Sequence, residues 1–194
     1  MKNYIIGYGS LINKESQSIT GKSLSSMPVV LKNFSRSWTV TYDDLQFCAL
    51  GVYKKKGSSI NVVLFEVEDL QVFDQREHGY NRYELDRNLL NAWFPGDQIP
   101  ESGKIWIYFP LSEKFGTASD RHFIWQSYVD VILMGCLSID RKFAEEFIKT
   151  TDGWMPSFFK DDRNESAYLK ALKTYHAQDV DDVLSDFLRL PTKS

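Results

Sequence analysis

A glycine-rich run at the end of an apolar segment is the feature that most limits how this chain can fold. Residues 4–6 (YII) have the apolar, β-branched character of a buried strand, and residues 7–11 (GYGSL) follow directly. Two glycines that flank a tyrosine allow backbone conformations and close approaches that a Cβ atom would block. Such a turn can hold an anion with its backbone N–H groups, although an ordinary glycine-rich turn can have the same letters.

A second segment, residues 73–83, has the sequence FDQREHGYNRY. A YGSL turn followed later by an RE-x-GY segment resembles the γ-glutamylcyclotransferase-like family, which includes glutathione-degrading enzymes and γ-glutamylamine cyclotransferases. Residues 126–130 (QSYVD), residues 150–154 (TTDGW) and the pair Asp162-Arg163 are similar to segments of bacterial members. The resemblance therefore covers most of the chain, and its specific parts are the turn and the glutamate.

The resemblance implies an intramolecular reaction. The free α-amine of a γ-glutamyl compound attacks the side-chain γ-carbonyl, which closes 5-oxoproline and expels the amine that was attached there. One carboxylate can take the proton from the α-ammonium group and then give it to the leaving nitrogen. The resemblance assigns this role to Glu77. A surface glutamate paired with Arg76 or Arg82 is the structural alternative, and His78 is a rival base by its chemistry alone.

The same resemblance implies a substrate-binding turn and a set of residues that border the pocket. Backbone N–H groups of the turn would hold the glutamyl carboxylate or the developing oxyanion, with Ser10 acting as a donor and not as a nucleophile. Aromatic residues are more often part of the core than of a binding site, so packing is the alternative for the tyrosines. For Arg36 and Trp38 the alternative is structural packing or surface pairing. The turn residues are Tyr8, Gly9, Ser10 and Leu11, and the possible lining residues are Arg36, Trp38, Tyr80, Tyr83 and Tyr128.

Metal and cofactor sites are not expected. The histidines His78, His122 and His176 are far apart, and none has a ligand partner three or four residues away. Cys48 and Cys136 lie in apolar runs, as buried thiols usually do, and two isolated cysteines form no disulfide framework.

Length and charge narrow the class of protein. A chain of 194 residues suits one domain, residues 1–194, and a net charge of −3 disfavours nucleic acid as a partner because phosphate binding needs a basic surface. No run approaches the length of about 20 apolar residues that a membrane-spanning helix needs, and no secretory signal is recognised at the start. We therefore expect a cytoplasmic location.

Strand signals fill the first half of the chain and helix signals the second, which indicates an α+β fold. The pattern predicts strands at 3–8, 29–41, 82–86 and 104–109, and a hairpin of 47–53 with 60–67 around the lysine-rich residues 54–59. A short helix after Asp69 would end near Glu77, and further helices are predicted at 124–137, 141–149, 166–175 and 179–188. The family resemblance narrows the fold to a small mixed β-barrel with helices packed around it and a helical C-terminal segment.

These observations favour an enzyme without a cofactor that acts on a small γ-glutamyl compound. A binding module that holds such a metabolite without turning it over is the alternative on the same scaffold. A third interpretation, an interaction protein, depends on the aromatic residues 154–159 (WMPSFF) being exposed. The leaving amine and the oligomeric state stay open.

Overall fold

The computed structural model describes residues 1–188 of the chain. Its strands are β1 (Asn3–Gly7), β2 (Ser23–Tyr42), β3 (Phe47–Val67), β4 (Tyr80–Glu84), β5 (Leu90–Ala92), β6 (Lys104–Pro110), β7 (Ile124–Trp125), β8 (Thr151–Asp152) and β9 (Phe159–Lys160). Its α-helices are α1 (Lys14–Thr20), α2 (Gln71–Arg76), α3 (Gln126–Leu137), α4 (Arg141–Lys149), α5 (Ala167–Lys170) and α6 (Ala177–Phe187). Residues 189–194, the end of the predicted domain 1–194, lie outside the described residues.

A mixed sheet forms the framework of the described chain. Its strands lie in the order β4-β6-β1-β3-β2-β5, with β8 paired to β2. β1 is antiparallel to β3 and parallel to β6, so the sheet has both kinds of pairing. Helices gather in the second half of the chain and pack on this sheet, which confirms the predicted α+β class.

The predicted closed barrel is wrong. Within residues 1–188 no ladder joins the edge strands β4 and β5, and the sheet stays open. The chain passes from one edge to the other through a short 3₁₀ turn, Arg87–Leu89, that Asp86 caps by accepting a hydrogen bond from the Asn88 N–H at 3.0 Å. β5 is only three residues long, so it pairs with β2 on one side and offers little backbone to β4 on the other.

The predicted hairpin around the lysine-rich segment is also wrong. Residues 47–53 and 60–67 belong to one strand, β3, and both parts pair with β2 instead of with each other. Residues 55–58 bulge out between them opposite Asn33, which has a φ of 64° and accepts a hydrogen bond from the Gly57 N–H at 3.0 Å. Gly57, with a φ of 84°, provides the left-handed backbone that this bulge requires.

The sheet divides the core into two apolar clusters because successive residues of a strand point to opposite faces. Ile5 belongs to the cluster that α3, α4 and α6 cover, whereas the next residue, Ile6, belongs to the cluster on the other face. Both side chains are fully buried. The end of β1 therefore lies between the two clusters, and the glycine-rich turn begins there.

The C-terminal segment is tied to the core by a buried acid. Asp130 has no exposed surface in the otherwise apolar helix α3, and the guanidinium of Arg163 donates to it at 2.7 and 2.9 Å. The Tyr175 hydroxyl donates to the same carboxylate at 2.6 Å. The helix predicted at 166–175 is shorter than expected, since the Thr174 hydroxyl binds Glu15 at 2.6 Å and draws the chain away from the helix axis.

A buried arginine connects the start of the chain to α4. Arg36 is fully buried, and its guanidinium donates to the backbone carbonyls of Tyr8 at 3.3 Å, Asn61 at 2.8 Å and Phe147 at 3.1 Å. It also donates to the Thr151 hydroxyl at 2.8 Å and lies over the Phe147 ring, 3.6 Å from its centre. Among the described residues none of its hydrogen-bond partners is a carboxylate, so carbonyl dipoles, including one from the last turns of α4, take the place of a counter-ion.

Removing this side chain should destabilise the fold strongly. Arg36→Ala leaves several buried carbonyl oxygens without a donor, and we expect the free energy of unfolding in urea to fall by about 3–5 kcal/mol. Arg141→Ala is the matched control, because Arg141 is half exposed and pairs with Glu145 and Asp186 at the surface. Its loss should be below about 1 kcal/mol. Equal losses for the two variants would contradict the connecting role of Arg36.

Candidate active site

The glycine-rich run forms a tight turn that folds back onto the end of β1. Residues Ser10–Ile12 make a single 3₁₀ turn in which the Ile12 N–H donates to the Gly9 carbonyl at 2.9 Å. A Cβ atom on Gly7 would lie 2.6 Å from the Leu11 carbonyl oxygen, so only glycine allows this close approach. A Cβ atom on Gly9 would lie 3.0 Å from the Tyr128 hydroxyl, which places that phenol directly over the turn.

Glu77 lies just beyond the last turn of α2, as the sequence predicts. Its N–H donates to the Phe73 carbonyl at 2.9 Å, and its own carbonyl accepts from the Tyr80 N–H at 2.9 Å, so the backbone is fixed on both sides. Glu77 and the turn line one cavity of about 30 Å³. The lining residues are Ile6, Tyr8, Gly9, Ser10, Leu11, Leu50, Glu77, Tyr80, Tyr108 and Tyr128.

The environment of the Glu77 side chain favours its neutral form. The side chain is 17% exposed, and burial raises the pKa of the carboxyl above its ordinary value. Arg76, whose Nε lies 3.3 Å from Glu77 Oε1, and His78 act in the opposite direction and lower the pKa. A carboxyl whose pKa moves upward is suited to accept and release a proton near neutral pH.

His78 does not share this position. It is exposed, and its Nδ1 lies 3.2 Å from the Arg76 carbonyl oxygen. Its ring packs against Tyr42 with the ring centres 6.2 Å apart, and His78 is not among the cavity-lining residues. Of the two candidate bases, only Glu77 lies in the cavity with the turn.

Tyrosines make up much of the cavity wall. The Tyr8 hydroxyl donates to the Tyr108 carbonyl at 2.7 Å, and the Tyr80 hydroxyl donates to the Leu50 carbonyl at 2.9 Å. Within residues 1–188 no hydrogen-bond partner is found for the Tyr128 hydroxyl. Burial raises the pKa of Tyr8, Tyr80 and Tyr128 well above the ordinary value for a phenol, so all three stay protonated at neutral pH.

Three of the predicted lining residues lie outside the cavity. Arg36 is buried behind the turn, and Trp38 is buried against Tyr128 and Trp154, with ring centres 5.9 and 5.1 Å away. Tyr83 is 52% exposed and packs on another ring at the sheet edge. Three further lining residues, Ile6, Leu50 and Tyr108, have no signal in the sequence, since they lie on the separate strands β1, β3 and β6.

Two wider grooves lie elsewhere on the described chain. One, of about 910 Å³, lies between α1, α3 and residues 171–179, and the other, of about 470 Å³, lies beside β4 and the following turn. Neither is lined by Glu77 or by the glycine-rich turn. Volume alone therefore does not identify the candidate site. The site is identified by an acid and a backbone turn that line the same cavity.

The part of the chain that the structure describes holds no group of three or more histidine, cysteine, aspartate or glutamate residues placed to bind a metal ion. No helix between residues 1 and 188 has the length and apolar character needed to cross a membrane. Cys48 and Cys136 are both free and buried, as predicted, and burial raises the pKa of the Cys48 thiol to about 12.

Solved structures with the same arrangement of strands and helices are known. A structure described as a γ-glutamyl cyclotransferase matches with a TM-score of 0.60 and 12% sequence identity, covering 96% of this chain and 99% of that one. The chain has the γ-glutamyl cyclotransferase fold. An uncharacterised human protein matches with a TM-score of 0.56 at 12% identity, over 95% and 98% of the two chains.

YkqA from Bacillus subtilis shares the γ-glutamyl cyclotransferase fold over a smaller region, with a TM-score of 0.55, 17% identity, and 76% and 53% of the two chains covered. No family model matches the sequence, and no curated protein matches it. The resemblance inferred from the two motifs is thus confirmed as a likeness of fold.

The two glycines of the turn should respond differently to substitution. Gly7→Ala drives a Cβ atom against backbone, which cannot move without opening the turn, so we expect thermal denaturation at a clearly lower temperature. Gly9→Ala meets only the end of the Tyr128 side chain, which can rotate, and should cost less. A larger loss for Gly9→Ala than for Gly7→Ala would contradict this geometry.

Glu77 should make stability depend on pH. Because burial raises its pKa, ionisation opposes folding, and the wild type loses stability as the pH rises through the pKa of the folded state. Glu77→Gln cannot ionise, so its Tm should exceed that of the wild type near pH 8, and the difference should shrink toward about pH 4. Glu84→Gln, at an exposed position, is the control and should show little of this dependence. A pH-independent difference for Glu77→Gln would contradict the assigned shift.

Proposed function

We propose that this protein cyclises the γ-glutamyl group of a small γ-glutamyl compound to 5-oxoproline and releases the attached amine. One observation carries the proposal: a carboxyl with a raised pKa, that of Glu77, lines the same cavity as the turn formed by residues 8–11. The γ-glutamyl cyclotransferase fold supports it independently. Glu77 would carry the proton, and the turn would bind the substrate.

The reaction moves two protons from the α-nitrogen to the leaving nitrogen, and Glu77 would carry them one after the other. Ionised Glu77 takes a proton from the substrate α-ammonium group, and the freed amine attacks the γ-carbonyl carbon of the same molecule. A carbon–nitrogen bond forms, and the carbonyl oxygen becomes an oxyanion. When the bond to the original amine breaks, protonated Glu77 returns its proton to the leaving nitrogen. The carboxylate then passes the second proton of the ring nitrogen to the released amine, which leaves as an ammonium ion. The carboxylate is restored, and proton transfer of this kind contributes about 10²–10⁴-fold to a rate.

The turn and the phenols would handle the negative charge. Backbone N–H groups of residues 8–11 would hold the glutamyl carboxylate or the oxyanion, and each such donor is worth on the order of 3 kcal/mol when it is aimed at the transition state. Tyr8, Tyr80 and Tyr128 stay neutral beside Glu77, so they would not compete with it as anions. The attack needs no second substrate, because the amine and the carbonyl belong to the same molecule. The enzyme would fold the glutamyl chain into a reactive conformation.

Substrate entry would require a side chain to move. The cavity of about 30 Å³ has room for about one water molecule, and a glutamyl group is several times larger. Tyr8 and Tyr80 are held by hydrogen bonds to backbone carbonyls, whereas no such bond is found for the Tyr128 hydroxyl among the described residues. Rotation of the Tyr128 ring would break no hydrogen bond of this kind, only its edge contacts with Trp38 and Phe47, and would open the space above Gly9.

The interaction-protein interpretation receives no support from the aromatic segment 154–159. Trp154, Phe158 and Phe159 are partly buried and pack against the core cluster that the helices cover. The Trp154 Nε1 donates to the Ile148 carbonyl at 3.0 Å, which fixes its ring inward. Met155 is the large apolar side chain of this segment that is exposed, at 38%, and one such residue does not form a docking patch.

A panel of γ-glutamyl compounds tests the proposal directly. Glutathione, γ-glutamyl amino acids and γ-glutamyl-ε-lysine are each incubated with wild type, and 5-oxoproline is measured by mass. Glu77→Gln should lower kcat on the best compound by at least about 10²-fold, with binding measured by calorimetry largely unchanged, because the variant keeps the shape and loses the proton carrier. His78→Ala is the matched control and should keep most of the activity.

Two results would overturn this assignment. If Glu77→Gln keeps the wild-type kcat, the proton carrier lies elsewhere. If wild type binds a compound of the panel and releases no 5-oxoproline, the protein is a non-catalytic binding module on the same fold.

A further inference from the structure

The residue before the proposed proton carrier is held by an unusual number of contacts. The Arg76 guanidinium is 20% exposed at the side chain, and its Nη1 donates to the Ser16 carbonyl at 2.9 Å and to the Thr20 hydroxyl. Its Nη2 donates to the hydroxyls of Ser10 at 3.0 Å, Ser16 at 2.9 Å and Tyr168 at 3.1 Å. The partners come from the turn, from α1 and from α5. These three segments and α2, which carries Arg76, therefore meet at one side chain.

These contacts leave one nitrogen for the acid. Both Nη atoms are occupied, so the plane of the guanidinium is fixed, and the remaining Nε lies 3.3 Å from Glu77 Oε1. The hydrogen-bond partners of the Nη atoms are all neutral, and within residues 1–188 Glu77 is the carboxylate found at ion-pair distance from Arg76. The charge of the guanidinium is therefore directed at a single group.

We propose that Arg76 is a positioning residue that fixes the Glu77 carboxylate relative to the glycine-rich turn, by bridging that carboxylate to the Ser10 hydroxyl and to α1 and α5. The inference rests on the proposed function, since it gives Glu77 its working geometry. Ser10 and Arg76 are 66 residues apart in the chain, and this bridge joins the two motifs directly. Tyr168 extends the bridge to the C-terminal segment.

A lysine could not replace this arrangement. A guanidinium is a planar fork whose donors point in fixed directions, whereas an ammonium group is a point charge on a flexible stem. Arg76→Lys should therefore keep a positive charge near Glu77 and lose its orientation. Arg76→Gln should lose both. The two variants separate the effect of charge from the effect of position.

The charge of Glu77 is also influenced by the groups that surround it. Arg76 and His78 are the basic residues that face it and lower its pKa, whereas burial raises it. The phenols that interact electrostatically with it come from the turn, from the end of β2, from β4 and from α3; they are Tyr8, Tyr42, Tyr80 and Tyr128. These phenols are neutral at neutral pH, so they add no charge that could replace that of Arg76. Loss of the Arg76 charge should therefore raise the Glu77 pKa.

The experiment compares Arg76→Gln and Arg76→Lys with the control Arg87→Gln, whose arginine donates to the Gly103 carbonyl in a distant loop. The Glu77 pKa is measured by ¹³C NMR on glutamate-labelled protein, with the signal assigned from Glu77→Gln. The pH dependence of kcat/KM is measured on the best compound of the panel. Methylguanidinium is then added to Arg76→Gln to test whether a free guanidinium restores activity.

We expect Arg76→Gln to raise the Glu77 pKa, to shift the acidic limb of kcat/KM to higher pH and to lower kcat by about 10- to 100-fold, partly restored by methylguanidinium. Arg76→Lys should keep the pKa nearer to that of wild type and still show a low kcat. Arg87→Gln should match the wild type in every measurement. If Arg76→Gln does not fold, Tyr168→Phe removes one acceptor of the guanidinium and keeps its charge, so it should lower kcat by a smaller factor and leave the Glu77 pKa near that of wild type.

An unchanged Glu77 pKa and an unchanged kcat in Arg76→Gln would overturn the inference, and so would an unchanged kcat in Tyr168→Phe if that variant stands in for it. A wild-type protein that forms no 5-oxoproline would overturn the proposed function instead. The NMR titration needs no turnover, so in that case it still decides whether Arg76 controls the Glu77 carboxyl.

Discussion

A buried guanidinium underlies the whole arrangement. Arg36 places a full positive charge inside the protein, and burial lowers its pKa to about 9, so it is still charged at neutral pH. Such a charge is tolerated only where oriented dipoles compensate for lost water. The carbonyls of Tyr8, Asn61 and Phe147 do so, and they belong to the turn, to β3 and to α4. Sheet, turn and helix must therefore assemble together, because each supplies part of the solvation of one cation.

The glycine-rich turn lies between two arginines with different tasks. Arg36, in the core, donates a hydrogen bond to the Tyr8 carbonyl. Arg76, at the end of α2, donates one to the Ser10 hydroxyl. The first is saturated by backbone carbonyls and side-chain oxygens and is structural. The second keeps one nitrogen for Glu77, the proposed proton carrier. A turn with two free-standing glycines would be mobile in isolation, and these contacts give it a defined shape.

Local patterns were sufficient to predict the turn, the position of Glu77 and the passage from strands to helices, since each depends on neighbouring residues. Long-range pairing decides the rest. Residues 54–59 have the letters of a hairpin tip, yet β2 is long enough to pair with both flanking segments and leaves them a bulge. Tyr108 lines the cavity only because β6 pairs with β1, whereas Tyr83 lies on the outer part of β4. The spacing of residues along the sequence does not predict which strands pair.

The contact between Arg76 and Tyr168 has a consequence for the order in which the protein matures during synthesis. Tyr168 follows Arg76 by 92 residues, so the turn and Glu77 leave the ribosome well before their last support is made. Arg163 and Tyr175, which tie this segment to Asp130, are also late in the chain. A nascent chain that stops before them has every residue of the cavity and lacks the contacts that orient it. The contacts that orient the cavity residues are therefore completed only after residues 163–175 have been made.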